Sequence, residues 1–300
     1  MGYPHIRIKV EAGSPYPTHL ERPIMHPLND RPAAVSGIFY PESAQELALM
    51  LRVWLDSAPL IDAPAPKMLV VPHAGYLYSG EIAAACYKSL ERSRALIKRV
   101  VLLGPCHRVP VRGLSYPDVA AFNTPLGRVE LDLEAIESIR DLPQVEASTQ
   151  AHANEHSLEV QLPFLQVLLN DFKIVPLVVG GASPKGVMDV IDHLWGGDET
   201  LIILSSDLSH FHDKSEAARL DQKTIERILA LDPTLDGMEA CGAYPLNGAL
   251  QAARHHRLIP KLLSRGDSGD ITGDHGSVVG YAGFGFWQMQ PDLTLHARAQ

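Results

Sequence analysis

Three histidines stand where short apolar runs of the sequence end, a position that suits them for chemistry. In an open α/β sheet, strands carry their ligand-binding residues just beyond their carboxyl ends, which meet at one edge. A single histidine there is typically a hydrogen-bonded loop residue, but three at equivalent positions predict one shared site. The three are His73 after residues 68–71, His107 after residues 100–103 and His210 after residues 201–204.

Imidazole and thiolate side chains are ligands that suit iron, copper and zinc. Two histidines with one anionic ligand leave coordination positions open for water or substrate, which is typical of a catalytic centre. Cys241 is the candidate for the anionic ligand, and its alternative role is that of a small buried hydrophobic residue. Cys86 lies within a predicted amphipathic helix and is assigned to the core.

A competing motif is the H-x-x-E-H pattern of inverted zinc peptidases, which residues 152–156 match. That motif needs a helix that already includes His152, so that both histidines share one helix face. Asn154 is instead typical of a helix start, with Glu155 favourable in the first turn. We therefore expect no peptidase activity.

The composition excludes several classes of protein. The chain has 300 residues, a formal net charge of -9 and 46% hydrophobic residues, and no apolar run is long enough for a membrane span. Lysine and arginine are scattered rather than clustered, which argues against a nucleic-acid partner. Three cysteines and no recognisable signal segment predict a cytoplasmic protein without a disulfide framework.

The pattern of apolar residues predicts the fold. Ser43 and Glu46 form a capping box ahead of a helix whose apolar residues share one face. Beyond it, continuous apolar runs alternate with helical stretches, and such runs indicate strands that are covered on both faces. We predict a three-layer α/β/α domain with a central mixed, mostly parallel sheet. The predicted strands are 68–71, 100–103, 172–179, 201–204 and 278–287, and the predicted helices after the first are 81–90, 157–169, 184–195, 215–231 and 245–255.

The domain boundaries follow from the same pattern. Residues 1–30 carry five prolines without periodicity and are predicted to be an N-terminal arm. Residues 31–290 contain no internal repeat or linker and are predicted to be a single domain. Residues 291–300 are assigned to a C-terminal tail.

Six motifs occur in order along the chain. They are RPAAVSGIFYP at 31–41, PHAGY at 72–76, GPCH at 104–107, EHSLEVQLP at 155–163, SSDLSH at 205–210 and the segment from SGD at 268–270 to GY at 280–281. Together they resemble the Memo family, whose prokaryotic members are called AmmeMemoRadiSam system protein B, from Arg31 to about Gln288. The resemblance implies a fold like that of the class III extradiol dioxygenases, with a metal pocket at one edge of the sheet.

The same resemblance implies the roles of the site residues. Its metal ligands correspond to His73, His107 and Cys241, and Asp207 and His210 line the same pocket. His210 occupies the position of the acid-base residue, and a carboxylate such as Asp207 is expected to orient it or raise its pKa. A thiolate in place of the carboxylate of the dioxygenases favours an iron or copper ion over zinc. His156 and Glu159 match the motif either as a buried network or as catalytic residues.

Two classes of function remain open. The chain is either a metal-dependent redox or oxygen-linked enzyme acting on an unknown small molecule, or a non-catalytic metal- or peptide-binding module on a dioxygenase-like fold. The name of the prokaryotic members implies a functional association with a radical-SAM protein. No nucleic-acid or membrane partner is expected.

Overall fold

The structure is a computed structural model that describes residues 29–288. The predicted C-terminal tail, and the predicted arm apart from Asn29 and Asp30, therefore lie outside the described residues. The helices are α1 Ala44–Ser57, α2 Tyr76–Lys88, α3 Leu133–Ile139, α4 Thr149–Ala153, α5 Leu162–Leu168, α6 Pro184–His193, α7 Lys214–Leu229, α8 Ala243–His255 and α9 Gly269–Thr272. The strands are β1 Met68–Val71, β2 Arg99–Pro105, β3 Leu114–Tyr116, β4 Ala121–Thr124, β5 Gly127–Glu130, β6 Val145–Ala147, β7 Lys173–Val179, β8 Thr200–Ser205, β9 His210–His212, β10 Leu258–Asp267 and β11 Val278–Gln288.

Most of the strands form one mixed sheet. Its order is β10-β11-β1-β8-β2-β7-β3-β6, with β9 paired to β11. The central strands β1, β8, β2 and β7 are parallel, and antiparallel pairs flank them on both sides. The parallel strands are almost wholly buried, as continuous apolar runs require, because helices cover both faces of such a sheet. The predicted α/β fold with a mixed central sheet is confirmed.

The helices pack in two groups. In the first group α1, α2 and α5 contact one another, and α2 also contacts β1, β10 and β11. In the second group α6 packs against α8, which contacts β2 and β8. These two groups form the outer layers around the sheet, so the carboxyl ends of the parallel strands are left at an edge between them.

Local sequence signals account for the start of α1. The hydroxyl of Ser43 accepts a hydrogen bond from the backbone N–H of Glu46 at 3.4 Å. The buried residues Leu47, Leu51 and Leu55 then recur along one face of the helix. The predicted Ser43 cap and the buried face are confirmed, whereas the reciprocal bond from the Ser43 N–H to the Glu46 side chain, which completes a capping box, does not form among the described residues.

The differences between the structure and the prediction include one helix and one additional strand. The predicted helix over 157–169 is a 3-10 turn, Glu159–Gln161, followed by the short α5 that carries Pro163 in its first turn. Strand β10 was not predicted, because it is an edge strand with alternating exposure and a proline at position 260. Edge strands tolerate proline and polar residues, so their sequences lack the continuous apolar run.

The N-terminal end of the described chain is held by one buried carboxylate. Glu159 accepts hydrogen bonds from the Arg31 guanidinium, from the N–H groups of Ala34 and Val35, and from the Tyr40 hydroxyl. Its side chain is fully buried, and that of Arg31 is 3% exposed. Each carboxylate oxygen accepts two hydrogen bonds from residues 31–40, which identifies Glu159 as part of a structural network.

No helix among residues 29–288 combines the length and the apolar character that crossing a membrane requires.

Candidate metal centre

Adjacent parallel strands bring the predicted site residues to one edge of the sheet. His73 lies two residues beyond β1, and His107 lies two residues beyond β2, while β8 runs parallel between these strands and leads to Asp207. The ring centroids of His73 and His107 are 5.2 Å apart, with the rings nearly perpendicular. The topology therefore places both imidazoles in one site.

Hydrogen bonds fix the tautomer of His73. The hydroxyl of Ser205 donates its single proton to the carbonyl of Ser157 at 2.5 Å and accepts from Gln161 Nε2 at 2.8 Å. His73 Nδ1, at 3.0 Å from the same hydroxyl, must therefore be the donor in that contact. Its Nε2 is left with a free lone pair, and burial together with the neighbouring His107 lowers the pKa of His73 to about 3. The ring is neutral and able to bind a metal through Nε2.

A carboxylate fixes His107 in the same tautomer. Glu155 Oε1 lies 2.9 Å from His107 Nδ1, and Oε2 accepts the backbone N–H of His107 at 2.6 Å. Burial opposes ionisation of Glu155, but its hydrogen bonds from His107 dominate and bring its pKa to about 2. An ionised carboxylate accepts only, so Nδ1 of His107 carries the proton and Nε2 keeps its lone pair. Carboxylate-to-histidine contacts of this kind orient metal ligands in proteins.

A third imidazole, that of His156, joins these two. Its ring stacks on His107 with centroids 4.8 Å apart and lies 5.4 Å from the ring of His73. One potential ligand atom from each of the three histidines lies within 4.8 Å of the others. Burial and the adjacent His73 lower the pKa of His156 to about 4. Its buried Nδ1 lies 3.4 Å from Glu155 Oε1 but makes no hydrogen bond among the described residues. An orphaned imidazole nitrogen in such a cluster fits a metal site.

Cys241 lies beside His73, although 168 residues separate them in the sequence. Its Sγ is 3.3 Å from His73 Nε2 and accepts the backbone N–H of Asp207 at 3.3 Å. Burial and the nearby Asp207 carboxyl raise the pKa of the thiol to about 12. The contact with Nε2 places the sulfur next to the free lone pair of His73, where both atoms can face one ion.

Asp207 supports this arrangement from the strand end. Its Oδ1 accepts the backbone N–H of His73 at 2.7 Å, and Oδ2 lies 3.9 Å from His73 Nε2. Burial raises its pKa, while hydrogen bonding from His73 and the charge of His210 act in the opposite direction. The carboxyl thus holds the loop that carries His73.

His210 is half-buried at the start of β9. Its Nδ1 lies 2.8 Å from the carbonyl of Leu208, which makes Nδ1 the donor and leaves Nε2 able to accept a proton. The group that orients His210 is therefore this backbone carbonyl, whereas a carboxylate was expected in that role. The following residue, Phe211, has a φ of 62° and a side chain that is 76% exposed.

The structure does not form the helical H-x-x-E-H arrangement. Helix α4 ends at Ala153, so His152 and His156 do not share a helix face. His152 is buried, and its Nε2 donates to the carbonyl of Ser115 at 2.8 Å. Glu155 is bound to His107.

The donor set and its surroundings fit a transition-metal ion. Two imidazole nitrogens are freed by their hydrogen-bond partners, and a third imidazole lies close to both rings. The sulfur of Cys241 lies next to the free nitrogen of His73. The side chain of His107 is 31% exposed, which gives solvent access from one side. Sequence reasoning left His156 without a role and gave Glu155 none in this site. In the sequence both residues lie between His107 and β7, and no local pattern there indicates that they contact His107. The signal that could have found them is the EHS segment at 155–157, which places both in one of the family-like motifs.

An α/β fold with a histidine-rich pocket at the carboxyl edge of its sheet defines the class of this protein. Residues 31–285 match the family model described as Memo-like protein, and the chain belongs to the Memo family. It is 35% identical to the MEMO1 family proteins of Ignicoccus hospitalis and Aquifex aeolicus, covering 85% of this chain and 98% of each relative. The MEMO1 family protein of Methanopyrus kandleri is also 35% identical, over 86% of this chain and 99% of its own.

Among solved structures, an uncharacterized protein of Escherichia coli K12 is similar with a TM-score of 0.45 and 13% identity. The match covers 72% of this chain and 98% of that one.

Proposed function

We propose that this chain is a metal-dependent enzyme that holds an iron or copper ion with His73, His107 and Cys241 and carries out a redox or oxygen-linked reaction on a small molecule. The observation that carries the proposal is the paired tautomers: Ser205 and Glu155 each accept a hydrogen bond from a protonated Nδ1, so both imidazoles present an unprotonated Nε2. Networks that fix tautomers in this way are typical of metal ligands.

The third ligand decides which metal is preferred. Cys241 Sγ lies closest to a free lone pair, at 3.3 Å from His73 Nε2, and loses its proton on binding a cation. A thiolate with two imidazoles favours copper or iron, so zinc is the less favoured ion. His156 stacks on His107 and is the additional donor beside this set. When bound, such an ion supplies one-electron chemistry or polarises a substrate.

His210 is proposed to handle protons. Its Nδ1 donates to the Leu208 carbonyl, so Nε2 can accept a proton from a substrate and later return it. His210 follows Asp207 by three residues, at the end of the segment that joins β8 to β9, which supports a role at the same edge of the sheet. Asp207 acts as a positioning residue, because it holds the backbone of His73 and donates its N–H to Cys241.

The non-catalytic alternative is a metal- or peptide-binding module. It is favoured by the thiol that stands where the dioxygenases carry a carboxylate, because that replacement changes the donor set on which ring cleavage depends. The two proposals differ in what they require of His210, which is essential for turnover in an enzyme and dispensable in a module.

The test separates metal binding from turnover. Protein purified without oxygen is analysed for metal content in the wild type, in Cys241→Ser and in His156→Ala. We expect about one iron or copper ion bound at this centre in the wild type, loss of most of that affinity in Cys241→Ser, and retention of the ion in His156→Ala. Unchanged binding in Cys241→Ser together with loss in His156→Ala overturns the proposed ligand set.

Turnover is then measured as oxygen uptake with catechols and with dithiols. His210→Ala is expected to keep the metal and lose at least about 100-fold in rate, as removal of a general acid-base group does. His275→Ala, which changes an exposed histidine elsewhere, serves as the matched control. Metal-loaded wild type without oxygen uptake or redox turnover supports the module and overturns the enzyme.

A further inference from the structure

A second cluster of potential metal ligands lies where helices α6 and α8 end. Asp192 is in the last turn of α6, His255 ends α8, and His256 is the next residue. One potential ligand atom from each lies within 4.8 Å of the others. We propose that these three residues, called the helix-end cluster, bind a divalent ion of the series from cobalt to zinc.

Packing already orients two of the three ligands. The ring of His256 stacks on Trp195 with centroids 3.6 Å apart and an interplanar angle of 10°. Its Nε2 lies 2.8 Å from Asp192 Oδ1. The Trp195 ring is held in turn by Lys67, whose Nζ lies 5.2 Å from the ring centroid and donates to the carbonyls of Gly197 and Thr200. The imidazole and the carboxylate are therefore preorganised, which reduces the entropy lost on binding.

The electrostatics of the helix ends favour a cation. Helix α6 has ten residues and α8 has thirteen, and the carboxyl end of each carries partial negative charge on its last carbonyl groups. The two ends meet at the cluster, and the Asp192 carboxylate adds a formal charge. An ion there interacts with three sources of negative potential.

The donor types select the ion. Two imidazoles and a carboxylate suit zinc, copper, nickel and cobalt, with bonds of about 2.0 to 2.2 Å to zinc. A tetrahedral ion needs its ligands roughly 3.4 Å apart, so small side-chain rotations from the present spacing are enough. The ion replaces the proton in the hydrogen bond between His256 Nε2 and Asp192 Oδ1, and that proton is released to solvent. His255 is exposed and both partners are half-buried, so water reaches the remaining position.

The helix-end cluster is separate from the proposed catalytic metal centre. Helix α8 begins two residues after Cys241 and ends at His255, so its thirteen residues span about 20 Å between them. One ion cannot bridge that distance. The two sites therefore fill independently, and their binding can be counted separately.

Trp195 provides a local signal for the test. Copper(II) bound through His256 lies next to this indole and is expected to quench its fluorescence. The probe is CuCl2 titrated into the full-length wild type and into the double variant Asp192→Asn/His255→Ala, which keeps the stacked His256. We expect the wild type to show a saturable quenching step that the double variant loses or shows with at least 10-fold weaker affinity.

Calorimetry with ZnCl2 supplies the stoichiometry. The double variant is expected to bind one zinc ion fewer per chain than the wild type, whereas His275→Ala binds the same number. Trp195→Phe is expected to lose the quenching by copper but keep the zinc stoichiometry. Equal quenching and equal stoichiometry in the wild type and the double variant overturn the proposal. The result for Cys241→Ser tests only the proposed catalytic metal centre. The proposal for the helix-end cluster can therefore be overturned without overturning the other, and the reverse also holds.

Discussion

Glu155 holds His107 with both of its carboxylate oxygens, across 48 residues of sequence. Oε2 accepts the backbone N–H at 2.6 Å and Oε1 accepts from Nδ1 at 2.9 Å. The same Oε1 also accepts the N–H groups of His156 and Ser157. One carboxylate therefore sets the position and the tautomer of one proposed ligand and fixes the backbone beside another imidazole.

Glu155→Gln is expected to weaken metal binding by about 10- to 100-fold, the range found when such outer partners of metal ligands are removed. In the amide one of the two carboxylate oxygens is replaced by an NH2 group, which donates only, so one of the two contacts with His107 is lost. Competition with a chromophoric chelator measures the affinity. Glu137→Gln, which changes an exposed carboxylate paired with Arg140, is the control and should leave the affinity unchanged. Wild-type affinity in a folded Glu155→Gln protein would show that this contact does not tune the site.

The buried pair of Arg31 and Glu159 gives a prediction about stability. Glu159→Gln leaves a buried guanidinium without its counter-charge, and breaking such a pair costs about 3 to 5 kcal/mol. Urea unfolding measures the loss. The exposed pair of Lys185 and Asp189 is the matched control, and Asp189→Asn should change the free energy of unfolding by less than about 1 kcal/mol. Similar small effects of both variants would contradict the structural role of Glu159.

Because His152 is buried, we expect the protein to lose stability in acid. Burial lowers its pKa from 6.5 to about 4, so between these pH values the unfolded chain binds a proton that the folded chain excludes. The free energy of unfolding is therefore not reduced by this histidine above pH 6.5. It falls as the pH drops toward 4, by roughly 2 kcal/mol at pH 5.

The variant His152→Gln isolates this effect, because its amide can still donate to the Ser115 carbonyl but does not titrate. Metal-free protein is unfolded with urea at pH 7 and at pH 5. The wild type should lose about 2 kcal/mol more than His152→Gln between the two values. Since His73 and His156 are present in both proteins, they cancel in the difference. Parallel losses in both proteins would refute the assignment.

A close approach between helix α2 and strand β11 in the core predicts a compensating pair of substitutions. A Cβ at Gly283 on β11 would overlap the Sγ of Cys86 on α2, and Cys86 is fully buried. Gly283→Ala is expected to destabilise the protein by about 1 to 3 kcal/mol through overpacking. Adding Cys86→Ala removes the sulfur and should restore part of that loss, as a double-mutant cycle in urea would show. An additive double variant would contradict the contact.

The central strands could be predicted from the sequence because they are buried on both faces. Runs such as residues 100–103 are continuously apolar, and only a covered strand has that pattern over so short a length. The flanking strands could not be predicted in this way. The three-residue β3 and β6 are too short to show a pattern, and β10 is an edge strand in which only one of ten positions is fully buried. Their pairing depends on the strands beside them.

The sequence by itself determined the family, the α/β class and the histidines that follow the strands, because these depend on residue type and local order. Only the tertiary structure decided how they combine. In the structure Cys241 contacts His73, and His156 lies beside His73 and His107. Glu155 accepts a hydrogen bond from His107, and Glu159 forms a buried ion pair with Arg31. The physical reason is the topology of the sheet. Parallel strands are joined by long crossovers, so residues far apart in the chain meet at the carboxyl edge, and no local pattern encodes that meeting.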